Sequence, residues 1–279
     1  MKRKEFIFTA FVLLIAFIGI SIFKHWKYTK QNNSSTVVAK SDSVQIFWDY
    51  YNQATQYRLR NEFDSSIIGY QEALKLKPNH KDALYYLGNM YMKVEQFDKA
   101  QEYWEKLTEL DPQSERAFNQ LGCLYFCMTH ANYFHPEKSK LYFERVYNLN
   151  KEALNPNLHL GEIALFQNKT NDAFVIFHKL LMMDQKNVEI NFIMGYLNWK
   201  SGKEQEAIRD LEHTLELLGT DNSDKNTSIP ENQGCDLFVN WLNNNLTASK
   251  ENDTGEPLPD VFRKFEQYLI ATRRQLNHN

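Results

Sequence analysis

Four residues in the middle of the chain have side chains of the types that form metal sites in proteins. Cys123, Cys127, His130 and His135 follow one another with the spacing C-x3-C-x2-H-x4-H. Thiolate sulfur and imidazole nitrogen are the ligands of tetrahedral zinc sites, in which the metal either stabilises the fold or activates a water molecule. The two cysteines lie one helical turn apart, so they also fit a helix that needs small side chains. Metal binding is therefore one hypothesis for this cluster, and thiols in a helix followed by a surface loop are the other.

No other pattern in the sequence indicates catalysis or a cofactor. The chain contains no glycine-rich phosphate loop, no nucleophile elbow and no HExxH zinc motif. Its three cysteines form no CxxC pair, so we expect thiols rather than a disulfide framework. The formal net charge of -3 gives no broad basic surface for nucleic acid. We therefore expect a protein that is not an enzyme, needs no cofactor and binds no nucleic acid.

The elements that would position these residues are marked by small side chains at a near-fixed interval. A Leu-Gly or Met-Gly pair ends at Gly88, Gly122, Gly161 and Gly195, with intervals of 34, 39 and 34 residues. A second series keeps the same step at Ser66, Ala100, Ser139, Ala173 and Ala207. Both series lengthen at the same place, which predicts an insertion of five residues in one repeat. A period of 34 residues is typical of stacked two-helix units.

Two apolar stripes in residues 81–114 predict the two helices of one unit. The first stripe consists of Leu84, Leu87, Gly88 and Tyr91, and the second of Ala100, Trp104 and Leu107. Steps of three and four residues place each stripe on one face of a helix. We expect Gly88 and Ala100 at the point where the two helices cross, because larger side chains would separate the backbones there.

This pattern resembles the tetratricopeptide repeat family, whose unit carries Leu-Gly, Tyr, Ala, an aromatic residue and Pro at these positions. The resemblance assigns residues 44–221 to five units, at 47–80, 81–114, 115–153, 154–187 and 188–221. The closing proline is absent from the last three units, where Lys151, Gln185 and Gly219 stand. The resemblance implies an all-α, right-handed superhelical solenoid. It also implies that the first helix of each unit lines a concave groove for a protein or peptide partner.

Helical spacing assigns to this groove the residues opposite the Leu-Gly stripe. They are Tyr51, Tyr85, Asn89, Met92, Arg116, Asn119, Phe126, Leu158, Glu162, Phe192, Tyr196 and Trp199. Apolar side chains exposed in one contiguous strip usually mark a binding site. Packing between adjacent units is the alternative for many of these residues, above all for Phe126. We expect the partner to be an extended or helical peptide with apolar anchors, and an array with uncovered ends can also pair with a second copy.

An uncharged apolar run of 18 residues occupies positions 6–23. As a helix it would measure roughly 27 Å, close to the hydrocarbon thickness of a bilayer. Basic residues precede and follow it, and Trp26 and Tyr28 fit the membrane interface. The pattern predicts an uncleaved signal-anchor within residues 1–30. A cleaved signal peptide is the alternative, but it would need a small-x-small site directly after the run.

Basic residues flank this run about equally, so charge alone does not orient it. We expect a cytosolic amino terminus and a periplasmic array in a bacterium, with a cytosol-facing array as the alternative. Polar residues 31–43 predict a flexible linker, and residues 222–279 predict a second linker and two capping helices. The sequence thus predicts a membrane-tethered interaction scaffold or assembly factor of envelope biogenesis. A cytosol-facing receptor-type adaptor and a metal-binding regulatory protein are the alternatives.

Overall fold

The structure is a computed structural model that describes residues 21–27, 43–127, 131–220, 236–246 and 258–277. Every regular element in these ranges is helical, which confirms the predicted all-α fold for them. After a helical segment at 21–27 come α1 (43–59), α2 (Phe63–Leu76), α3 (Lys81–Lys93), α4 (Phe97–Leu110), α5 (Glu115–Phe126) and α6 (Pro136–Leu149). They are followed by α7 (Leu154–Phe166), α8 (Thr170–Met183), α9 (Val188–Lys200), α10 (Glu204–Thr220), α11 (Asp236–Leu246) and α12 (Leu258–Asn277).

The chain forms two compact units, with the boundary between Glu95 and Gln96. In the first unit α2 packs on α3. In the second unit the pairs α5 and α6, α7 and α8, and α9 and α10 form hairpins, and α4, α6 and α8 each pack on the helix that follows. Contacts between consecutive helices of this kind are what a stack of helical hairpins requires.

The predicted membrane anchor lies mostly outside the described residues. Only its last positions fall within the helical segment 21–27. Among the residues that the structure describes, no helix is both long enough and apolar enough to cross a membrane. The predicted linkers also lie largely outside the described ranges. The anchor and its orientation therefore stay predictions.

Glycines lie where the helices of a hairpin approach each other most closely. A Cβ atom added to Gly122 would lie 2.7 Å from the ring of Phe143 in α6. One added to Gly161 would lie 2.7 Å from the ring of Phe177 in α8. Real Cβ atoms do not approach other atoms this closely, so a larger residue would force the two helices apart. In these two hairpins the aromatic ring of the second helix occupies the space that glycine leaves on the first.

Where the second series of small residues has serine, the hydroxyl group of that serine forms a hydrogen bond. The hydroxyl of Ser139 donates to the carbonyl of Gly122 at 2.7 Å. In the first unit the hydroxyl of Ser66 donates to the carbonyl of Ala54 at 2.9 Å. Both serines are fully buried, so these bonds satisfy hydroxyl groups that water cannot reach.

The turn after the first helix of a hairpin has a repeated backbone conformation. Asn61, Glu95, Asn168 and Gly202 have φ angles of 59°, 58°, 60° and 74°. Intervals of 34, 73 and 34 residues separate them, which is the register of the repeats. Glycine and asparagine adopt this left-handed conformation more readily than glutamate does. The period therefore governs the backbone of the turns as well as the side chains of the helices.

We predict that Gly122→Val lowers the free energy of unfolding by about 2 kcal/mol or more, because its side chain would overlap the ring of Phe143. Urea unfolding followed by circular dichroism measures this change. Gly202→Ala is the control, since nothing lies within 4 Å of the added Cβ. It should cost only about 1 kcal/mol, from the positive φ angle. An unchanged midpoint for Gly122→Val would contradict the crossing geometry.

Candidate partner-binding surfaces

In the first unit, two of the predicted groove residues, Tyr51 and Tyr85, belong to a row of tyrosine rings. We call Tyr51, Tyr70, Tyr85 and Tyr86 the tyrosine strip. The centroid distances are 5.5 Å from Tyr51 to Tyr70, 6.0 Å from Tyr70 to Tyr86, and 5.3 Å from Tyr86 to Tyr85. Tyr70 is fully buried, whereas the other three rings are half-buried. A row of this kind presents aromatic faces and hydroxyl groups together, which suits a ligand with both apolar and polar groups.

Neighbouring side chains fix the tyrosine strip in place. The guanidinium of Arg58 lies 4.4 Å from the centroid of the Tyr86 ring. The hydroxyl groups of Thr55 and Tyr70 are 3.0 Å apart. Burial, followed by the nearby Tyr70 and Asp82, raises the pKa of Tyr51 to about 12, so its hydroxyl group stays protonated. The predicted groove residues Asn89 and Met92 are half-buried on α3, the helix that also carries Tyr85 and Tyr86.

In the second unit the predicted groove residues fall into two classes. Arg116, Asn119, Leu158 and Trp199 are half-buried, whereas Phe126, Glu162, Phe192 and Tyr196 are buried. The buried residues contact other parts of the same unit. Helical spacing places them on the expected helices, but it does not reveal what covers them. Partner binding by these residues stays a prediction.

The C-terminal helices α11 and α12 cover the predicted groove face of α9. The ring of Phe192 lies 5.6 Å from Trp241 in α11 and 5.1 Å from Phe265 in α12. Tyr196 makes an edge-on contact with Phe265 at 5.1 Å. Lys200, the last residue of α9, forms an ion pair with Glu266 of α12. The helices that the sequence analysis interprets as caps therefore lie on residues that it interprets as a binding groove.

Phe126 is buried by the loop that follows its own helix. Its ring lies 5.8 Å from Phe134 in that loop and 6.0 Å from Phe166 at the end of α7. These contacts are the packing alternative that the sequence analysis keeps open for Phe126. The inserted loop therefore joins the core of the second unit through an aromatic side chain.

Tyr133 of the same loop contacts α4. The hydroxyl of Tyr133 donates to the carboxylate of Asp98 at 2.5 Å, and its ring lies 5.2 Å from Phe97. The ammonium of Lys138 donates to the hydroxyl of Tyr125 at 2.5 Å and lies 4.0 Å above its ring. These side chains border an open depression of about 750 Å³. The polar groups that border this depression bond to one another, so they join the loop to α4 and α5 to α6.

The structure describes three of the four potential metal ligands, Cys123, Cys127 and His135. Cys127 is disulfide-bonded, so the prediction that the cysteines remain thiols is wrong for this residue, while Cys123 is a free thiol. His135 is exposed, and His130 lies outside the described residues. Within the described ranges, no group of three histidine, cysteine or acidic side chains is arranged to hold a metal ion. A disulfide sulfur cannot act as a thiolate ligand, which removes Cys127 from a candidate zinc site.

Sequence reasoning misses a buried acidic cluster between α7 and α9. Glu162 and Glu189 form a carboxyl pair, and the Nδ1 atom of His159 lies 2.6 Å from Oε2 of Glu162. All three side chains are buried, and Oε1 of Glu189 has no hydrogen-bond partner among the described residues. Helical spacing predicts that Glu162 lies in the groove. The spacing of Glu189 places it at the edge of that groove, although the structure buries it.

Burial in this cluster favours the protonated form of both carboxyl groups. It raises the pKa of Glu162 to about 8, against a smaller lowering by the hydrogen bond from Glu189. Burial and the negative charge of Glu162 raise the pKa of Glu189 well above its ordinary value. Two adjacent buried carboxylates would repel each other, so both groups favour the protonated form at neutral pH. The cluster therefore couples packing between repeats to pH.

We predict that the protein loses stability as the pH rises from about 5 to about 9, because raised carboxyl pKa values stabilise the fold only while the groups are protonated. The stabilising effect is complete below the unfolded pKa of glutamate and disappears as the pH passes the folded pKa of about 8. Urea midpoints across this range measure it. Glu162→Gln with Glu189→Gln should flatten the curve, whereas Glu212→Gln at an exposed position of α10 should not. An equally steep curve for the double variant would contradict the assignment.

Comparisons with known proteins agree with the helical-hairpin architecture. A family model described as Tetratricopeptide repeat matches residues 81–114. The Saccharomyces cerevisiae protein "Anaphase-promoting complex subunit CDC16" is 27% identical over 222 residues, which are 77% of this chain and 24% of that protein. "Anaphase-promoting complex subunit 3" of Schizosaccharomyces pombe is 19% identical over 65% of this chain and 27% of its own length. The chain thus spans about a quarter of these curated relatives.

Solved structures show the same fold. "Crystal structure of MamA protein" superposes with a TM-score of 0.55 at 21% identity, over 67% of this chain and 99% of that one. "Crystal structure of YrrB: a TPR protein with an unusual peptide-binding site" gives a TM-score of 0.51 at 19% identity, over 61% and 85% of the two chains. The similarity concerns the hairpin array and leaves the predicted membrane anchor a prediction. Residues 81–114 thus match a tetratricopeptide repeat, and the chain shares the helical-hairpin fold of these solved structures.

Proposed function

We propose that this protein is a non-enzymatic scaffold or assembly factor that binds a protein or peptide partner through its repeats. The main support is the tyrosine strip, whose half-buried rings stand on two first helices of the array. Aromatic side chains contribute large contact area at low entropic cost, and a few such anchors dominate the affinity of most interfaces. The helices that carry the strip are already packed, so binding requires little ordering of the receptor.

The proposed location is the outer face of a bacterial inner membrane, with the anchor at residues 6–23 holding the array near the bilayer. The disulfide at Cys127 supports an array outside the cytosol, because reducing systems keep most cytosolic cysteines as thiols. The apolar run and its aromatic and basic flanks support the tether. In such a place the scaffold would hold a partner during envelope assembly.

We expect Tyr51→Ala combined with Tyr85→Ala to lower partner capture about tenfold or more, because two anchors of the strip are removed. Crosslinking in native membranes, with quantification of each trapped protein against the wild type, measures the loss. Ile68→Ala is the matched control, since Ile68 is 60% exposed on α2 and lies outside the strip. Helical content should stay constant in both variants. Equal capture by the double variant and the wild type would refute the tyrosine strip as the binding surface.

The proposed topology predicts that reagents added outside the inner membrane reach the array, whereas a cytosol-facing array would be out of their reach. Protease added outside intact spheroplasts should digest the array. In a Cys123→Ser background, Cys127 should react with a membrane-impermeant maleimide only after a reductant is added. A cytosol-facing array would instead be protected from the protease until the membrane is opened. Protection from the protease, together with no labelling of Cys127 after the reductant is added, would overturn the proposed location.

A further inference from the structure

The last repeat lacks an aromatic residue that the two preceding repeats use to fill the helix crossing. Phe143 covers Gly122 and Phe177 covers Gly161. The corresponding position of the last repeat, four residues after Ala207, holds Leu211. The space above Gly195 is filled from α12, since the Cζ atom of Phe262 would lie 2.9 Å from an added Cβ. An aromatic residue from another part of the chain thus takes the place of the repeat's own.

The contact with α9 uses one face of α12. Phe262, Phe265 and Leu269 follow at steps of three and four and are each at most 1% exposed. Phe262 lies 5.5 Å from Phe192 and 6.2 Å from Trp199, so two residues of the predicted groove hold a single anchor. The opposite face of α12 is polar and exposed at Arg263, Lys264, Gln267, Arg274 and Gln275. This is how an amphipathic helix lies in a groove.

Polar contacts fix the direction and register of α12. Near its middle, Glu266 forms an ion pair with Lys200 at the end of α9. Towards its C-terminal end, Arg273 donates to the carbonyl of Leu165 at 2.9 Å and to the carbonyl of Phe166. These carbonyls end α7, where a helix has unsatisfied acceptors and a negative dipole. A cation on the bound helix is therefore recognised at a defined position.

We propose that α12 is an internal ligand, and that the partner bound by this face is an amphipathic helix of the same pattern that replaces it. The pattern is an aromatic residue, a second aromatic residue three positions later, a leucine four positions after that, and an arginine four positions further. This inference goes beyond the proposed function, because it concerns a binding face on α9 that does not include the tyrosine strip. A partner would reach the face only in the fraction of molecules from which α12 has dissociated, which lowers its apparent affinity by that fraction.

The test uses the full chain and a fluorescent synthetic peptide of residues 258–277. Phe262→Asp with Phe265→Asp places two charges on the buried face of α12 and releases it. This variant should bind the peptide about tenfold or more tightly than the wild type does, by fluorescence anisotropy. Gln267→Asp with Ala271→Asp alters the exposed face of α12 instead, and should exclude the peptide as the wild type does. A peptide that carries the two Phe→Asp changes should not bind.

A folded Phe262→Asp, Phe265→Asp variant that binds the peptide no better than the wild type would make α12 a fixed part of the core and overturn the proposal. If this variant loses helical content, hydrogen exchange of the wild-type protein decides. The amides of α12 should then exchange about a hundredfold faster than those of α9, because α12 opens by itself. Equal exchange rates would overturn the proposal. Partner capture through the tyrosine strip uses other residues, so the two proposals fail independently.

Discussion

The close approach of the two helices in each hairpin is the constraint on which the rest of the structure depends. At Gly122 and Gly161 an aromatic ring of the second helix lies where a side chain of the first would stand. A glycine in the middle of a helix costs up to about 1 kcal/mol relative to alanine, so packing at the crossing has to offset this cost. A hairpin held at this distance buries its apolar stripes against its neighbours in the same unit, and the second unit gains a continuous core that no single repeat could form.

The same constraint explains how α12 packs on the last repeat. Leu211 is too short to fill the space above Gly195 as Phe143 and Phe177 do in their hairpins, and Phe262 of α12 fills it instead. As a result, the predicted groove residues of α9 pack against α11 and α12. In the first unit, the half-buried rings of the tyrosine strip keep part of their aromatic surface accessible. The two units therefore offer different surfaces to a partner, although their hairpins follow one pattern.

Most of what the sequence predicts about this fold follows from its local periodicity. Helix positions, the crossing glycines and the serines beside them all follow from residue types at fixed intervals, because each contact joins residues of one hairpin. The repeated left-handed turn could also have been read from Asn61, Asn168 and Gly202, which share one register position. Glu95 at the same position hides this signal, since glutamate is not a residue that marks such turns.

Contacts between distant parts of the chain could not be predicted in this way. An amphipathic pattern shows that α12 has a face to bury, but it does not show that the face belongs on Phe192 and Tyr196. In the same way, Glu162 fits a groove position in its own helix, and only the next repeat brings Glu189 against it. The disulfide at Cys127 has no motif in the sequence. These features depend on tertiary neighbours, which a single helix does not encode.

A double-mutant cycle at one crossing tests the central constraint most directly. Gly161→Ala should destabilise the protein while Phe177 is present, because the new methyl group overlaps its ring. In a Phe177→Leu background the same change should become neutral or stabilising, since alanine then contributes its higher helix propensity without a clash. The account predicts this change of sign, with a coupling of about 1 kcal/mol or more in urea unfolding. An equal effect of Gly161→Ala in both backgrounds would contradict it.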